Sequence, residues 1–233
     1  MAQAKIFTER GTLGELVITI ELVLVSIVQG IALSALAVSA ASIVDLDYLE
    51  YWPYVLTGFL FALFFWAEAI SHTLSFIDWP IRLQHTFLYF AIGFFEVVAF
   101  SNVTDTLVWF WVFLIMSILG GWLYLVDLSI IKEQKVEITS TEAGKAFYEV
   151  LYKEQRLGLL VLVPLTILFN AGALAFLYIY PGVSLTASWH VPVVIAQGLF
   201  TFGALILSVR NFKNRSMVIA NLYGSKEDRL PEG

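Results

Sequence analysis

Glu68, His72, His85 and Glu96 stand within one stretch, 59–100, that is otherwise almost wholly apolar and aromatic. Ionisable side chains are expensive to keep in such surroundings, so each is a candidate for function. Glu68 and His72 are four residues apart and share one face of a helix. His85 follows across a short turn, at the start of the next apolar segment. The frame Glu-x3-His-x12-His could present Glu68, His72 and His85 to a transition metal (zinc, copper or iron), with a position left open for substrate. Glu96 lies roughly 16 Å along the helix from His85 and cannot belong to that set. The same residues could instead pass protons. Histidine relays them near neutral pH, and a carboxyl in a low-dielectric site can exchange them.

The elements that position these groups must cross lipid. Of 233 residues, 59% are hydrophobic and only 14% charged, against about 25% charged in a soluble domain. Six segments reach the roughly 20 residues that a bilayer core requires: 16–41, 53–75, 83–101, 106–131, 157–179 and 190–209. Each must be helical, because backbone N–H and C=O groups in lipid have to be satisfied within the segment. The expected fold is an all-α integral membrane protein, a six-transmembrane-helix bundle in one domain over 1–210, followed by a polar, partly disordered tail over 211–233.

All thirteen basic residues fall before span one, between spans two and three, between spans four and five, or after span six. The positive-inside rule then places both termini in the cytoplasm of a multi-pass protein of the cell membrane. The N-terminus precedes an apolar segment too long for a cleavable signal, so none is expected. There is no cysteine, which excludes disulfides, iron–sulfur clusters and thiol catalysis. No basic run points to nucleic acid. Neither a phosphate-binding glycine loop, a dinucleotide fingerprint, a zinc-protease HExxH nor a nucleophile triad is present.

Counting along each span at about 1.5 Å per residue sorts the polar groups into two layers. Glu21, Glu68, His72, His85 and Asp127 fall near the cytoplasmic face. Gln29, Glu96, Asn170 and Gln197 fall roughly 10 Å deeper. Stacked polar layers inside an apolar shell suit a path for protons or small cations, the leading expectation. Its candidate residues are Glu96, Glu68, Gln29, Asn170, Gln197, Glu21 and Asp127, with Glu96, the deepest carboxylate, as the coupling group. The alternatives are a metal-dependent membrane enzyme or redox subunit on Glu68, His72 and His85, and an accessory subunit whose polar residues only join helices. The bilayer is the expected partner, together with further copies of the chain or a larger membrane complex.

Several local signals complete the reading. Ser26, Gly30 and Ser34 make a small-residue stripe that suits close helix approach. Trp52, Trp109, Trp111 and Trp189 fit an outer interfacial belt and Trp79 an inner one. Thr139 and Glu142 fit a capping box before a short amphipathic interfacial helix carrying Ala143, Ala146, Phe147, Val150 and Leu151 on one face. Pro164 should loosen span five. The frames starting at His85 and His190 (His-x5-Ala-x-Gly-x-Phe-x3-Ala), with the echo of Ser26 and Gly30 in Ser117 and Gly121, suggest an inverted repeat of three spans.

Overall fold

The computed structural model describes residues 2–45, 48–76, 83–139, 142–183 and 188–227. Helix accounts for nearly all of them, and no strand occurs among the described residues. The helices are α1 (Ala2–Asp45), α2 (Trp52–Phe76), α3 (Leu83–Ser101), α4 (Thr106–Glu133), the single turn α5 (Lys135–Ile138), α6 (Glu142–Leu157), α7 (Val163–Ile179) and α8 (His190–Glu227). Six helical segments are long and apolar enough to cross a membrane: Glu15–Val44, Leu49–Leu74, Leu83–Ser101, Thr106–Glu133, Gly144–Ile179 and His190–Met217. Each contains or closely matches one expected span. Trp79 and Arg82 lie outside the described residues.

These helices are apolar around most of their circumference, so the buried stripe is chosen by shape and by polar partners. On α1 the buried positions are Val17, Glu21, Val25, Gln29, Ala32, Leu36 and Ile43, the spacing of one helix face. Leu16, Ile27, Ile31 and Val38 remain exposed on the other. The long helices pack in a ring ordered α8, α2, α1, α3, α4, α7, and α7 and α8 meet only loosely to close it. One end of the ring carries Lys132, Lys153, Arg156, Arg210 and Arg215 and is the basic end. Glu50 and Asp105 mark the opposite, acidic end. Asp105 caps α4 by accepting the Val108 N–H at 3.0 Å, as an N-cap carboxylate should.

The close helix crossing uses a different glycine from the one the sequence suggests. A Cβ at Gly30 would meet nothing within 4 Å, and Ser26 and Ser34 are exposed with it. A Cβ at Gly93 of α3 would instead run into Val28 of α1. Gly198 of α8, at the matching place in the second frame, faces Thr57 in the same way. Trp109 also departs from expectation. It is fully buried rather than interfacial, because its indole N–H has a polar partner in the core.

Span five is longer than expected. α6 runs into α7 through a π-helical stretch, Gly158–Leu162, in which the Val163 N–H reaches the Gly158 carbonyl. Pro164 has no N–H and crowds the carbonyl four residues back, which favours a widened turn just before it. The amphipathic segment is thus the basic-end extension of span five, packed on α4 and α8. The Thr139 hydroxyl donates back to the Lys135 carbonyl at 2.7 Å, and α6 starts at Glu142, so the capping box does not form in the expected register. Past 210, α8 stays helical to Glu227 instead of fraying into a tail, and Arg215 is held in the bundle.

Gly93→Leu should lower stability by about 1–3 kcal/mol through overpacking against α1, while Gly30→Ala should be neutral or stabilising by up to about 1 kcal/mol. Thermal unfolding in mild detergent measures both. Equal effects would show that α1 and α3 do not cross at Gly93.

Candidate functional site

Three helices converge near the basic end on one carboxylate. Asp127 of α4 places Oδ2 2.8 Å from Nδ1 of His72 on α2, and Oδ1 3.3 Å from Nε2 of His85 on α3. None of the three is more than 2% exposed. The other nitrogen of His72 lies 3.1 Å from Glu68 Oε2 and 3.1 Å from the Gln155 side-chain amide. Glu68 and His72 meet because i and i+4 share a helix face. Asp127 joins them from a helix that the sequence could not align with α2.

His72 has two workable hydrogen-bonding states here. Neutral, it donates from Nδ1 to Asp127 and accepts from Gln155 at Nε2. Doubly protonated, it donates to Asp127 at one nitrogen and to Glu68 at the other. The cluster can therefore take up a proton without losing its Asp127 contact. Ligand atoms of His72, His85 and Asp127 also lie within 4.8 Å of one another, close enough to share one metal ion. Glu68, expected as a ligand, sits behind His72 as the carboxylate that would orient a ligating imidazole. In that grouping Asp127, and not Glu68, offers the third atom.

Beside the cluster, Arg215 of α8 pairs with Glu154 of α6 at 3.0 Å and donates to Ser71 of α2. None of the three is among the site candidates that the sequence offers. Arg215 belongs to a stripe that α8 turns inward: His190, Gln197, Thr201, Ser208 and Arg215, all buried.

The second polar layer divides into two. Gln29 donates to Glu96 at 2.6 Å between α1 and α3. Glu21 accepts from Thr86 at 2.5 Å along the same seam. Asn170 and Gln197 lie elsewhere, among α4, α7 and α8. There Trp109 donates to Gln197 at 2.8 Å, Gln197 to Asn170 at 2.9 Å, and Asn170 to the Thr166 carbonyl at 2.8 Å. Trp109 is the tether that draws Gln197 into place.

A cavity of about 110 Å³ lies inside the ring between the two polar groups. Glu68 and His72 line one part of it, and Asn170 and Gln197 another. Ser117, Thr166 and Thr201 add hydroxyls to a wall that is otherwise mainly aromatic and aliphatic. By liquid volume this is room for about three waters. Glu96, Gln29 and Glu21 do not line it. Towards the acidic end, Trp109 stacks edge-on to Tyr54, with ring centroids 5.1 Å apart. The Tyr54 hydroxyl meets Thr106 and His190 Nδ1, each at 2.9 Å. His190 is 3% exposed. The sequence reading noted it only within the repeat frame. Ser188 then donates to Glu50 at 2.9 Å.

The polar groups thus follow one another through the ring from Arg215 to Glu50, and all three histidines of the chain take part. No protein-family model matches the chain, and no curated protein or solved structure matches it, so the reading of the site rests on its geometry.

Asp127→Ala should destabilise the protein by about 3–5 kcal/mol, because it strips two buried imidazoles of their shared partner. Glu50→Ala, at an exposed contact, should stay within about 0.5 kcal/mol. Chemical unfolding of the two variants compares them, and equal stabilities would show that the bundle does not depend on the Asp127 bridge.

Proposed function

We propose that the chain is a six-span protein of the cell membrane, with both termini cytoplasmic, that passes protons or small cations across the bilayer. Exposed Leu16, Ile27, Val38, Phe94, Leu168 and Leu199 support a lipid-facing exterior, and the one-sided placement of basic residues supports the orientation. The observation that carries the transport reading is the cavity bridging Glu68 and His72 to Asn170 and Gln197. It links a proton-accepting cluster with the hydrogen-bonded Asn170, Gln197 and Trp109, and the Trp109 ring packs in turn against Tyr54. Carboxylates at the basic end favour cations, and no lysine or arginine is found among the residues lining the cavity. The cavity taken alone suits protons or single small cations. A wide pore would need several copies.

In this reading Glu68 and His72 exchange the proton, Asp127 holds His72, and Gln197 and Asn170 form the far side. Glu96 and Gln29 lie off the path, joining α1 to α3. Proton flux into proteoliposomes, driven by a potassium-diffusion potential, tests it. Glu68→Gln and Gln197→Leu should each reduce flux by about tenfold or more, the range that loss of a positioned proton-transfer group produces. Glu96→Gln should change it by less than about twofold. Unchanged flux in both path variants would overturn the proposal, and loss confined to Glu96→Gln would move the path to the α1–α3 seam.

A second reading has its own observation, the approach of His72, His85 and Asp127 ligand atoms to within 4.8 Å. A metal-dependent enzyme or redox subunit would use these three, with Glu68 orienting His72. Elemental analysis of the purified protein then finds near-stoichiometric zinc, copper or iron that disappears in His85→Ala and Asp127→Asn. Metal content that is substoichiometric, or equal in wild type and variants, rejects this reading.

A further inference from the structure

A crevice of about 370 Å³ enters the ring from the side, between α8 and the π-helical turn that joins α6 to α7. Its rim residues Val161, Leu165, Leu199 and Leu207 are apolar and exposed. Phe64, Glu68, Tyr124 and Phe200 line both the crevice and the central cavity, so the two adjoin. A proton path needs no such opening, and its aromatic walls offer nothing to a hydrated metal ion.

We propose that the crevice and cavity receive a lipophilic organic cation, a protonated amine or a quaternary ammonium, which arrives from the side between α8 and the π-helical turn and seats its charge beside Glu68. The wall chemistry selects this class. Phe61, Phe64, Phe65, Phe113, Phe169 and Phe200 line the cavity, and aromatic rings attract desolvated cations. Glu68 is 18% exposed and Asp127 not at all, so Glu68 is the carboxylate that a ligand meets. Among the described residues, the other full charges on the crevice are Arg215 and Glu154, which are paired with each other. An anionic head would face Glu68 and Glu154 with the Arg215 charge already engaged. The inference rests on the cation-path reading of the same site and names its substrate class.

Calorimetry on the full chain in lipid nanodiscs tests it, with benzyltrimethylammonium as the cation and phenylmethanesulfonate as an anion of similar size. The cation should bind saturably and the anion should not. Glu68→Gln should weaken the cation by about tenfold or more. Gly203→Trp fills the crevice mouth at a position where an added Cβ meets nothing within 4 Å, and it should weaken binding by a similar factor. Should Glu68→Gln fail to fold, Gly203→Trp and the anion comparison decide. Absence of cation binding, equal binding of the anion, or affinities within about twofold in the variants would overturn the inference. Proton flux of the same wild-type preparation separates the two claims. Flux without cation binding sinks this inference alone, and cation binding without proton flux sinks proton passage alone.

Discussion

The bundle depends on a carboxylate that has no water to turn to. Asp127 is fully buried on α4, and its oxygens face one imidazole on α2 and another on α3. A charge in that position is tolerated only while both partners stay in place. Sliding α2 or α3 by one residue would move a histidine by about 1.5 Å and turn it by a quarter of the helix circumference or more, out of reach. One side chain therefore sets the relative register of three helices. Apolar packing alone does not, because their surfaces are apolar almost all round and many registers would bury similar area.

The same logic extends along α8. Three of its inward residues, His190, Gln197 and Arg215, meet polar groups on other helices: Tyr54, Trp109, Asn170 and Glu154. In a low-dielectric interior an unpartnered amide or guanidinium is costly, so these contacts specify which face of α8 turns inward. α7 shares fewer of them. Asn170 is its main link to α8, and the π-helical turn before Pro164 takes the place of a tight interface. The side crevice that adjoins the cavity lies between this π-helical turn and α8.

Much of this was legible in the sequence, for definite reasons. Length and apolar character define the six segments, and the position of each polar residue along its own helix follows from 1.5 Å of rise per residue. Of the residues that such counting puts in one layer, Glu68, His72, His85 and Asp127 meet in the fold, while Glu21 lies on the α1–α3 seam. Rotation about the helix axes was not legible, since that is decided by partners on other helices. Glu96 and Asn170 share a depth but face different neighbours, and only Asn170 reaches the cavity. Gly30 and Gly93 both look suited to close packing, yet only Gly93 faces another helix. Trp109 resembles an interfacial anchor until Gln197 is seen opposite it. Arg215 looked like part of a soluble tail because its partners, Glu154 and Ser71, lie far away in sequence. Its sevenfold spacing from Ser208, and that of Gln197 from His190, was the available clue.

Within the cluster, structural and chemical duties fall on different residues. Asp127 is sealed and holds two partners, so any change in its charge disturbs three helices at once. Glu68 touches the cluster only through His72, and it borders both the cavity and the crevice. A group that binds and releases a cation must be able to change charge or partner without unfolding its surroundings. Glu68 meets that condition and Asp127 does not. His72 lies between them and can present either a donor or an acceptor to Glu68 while its bond to Asp127 persists. Under the proposed cation passage, the arrangement would separate a fixed electrostatic anchor from an exchangeable carboxylate, with one imidazole between them.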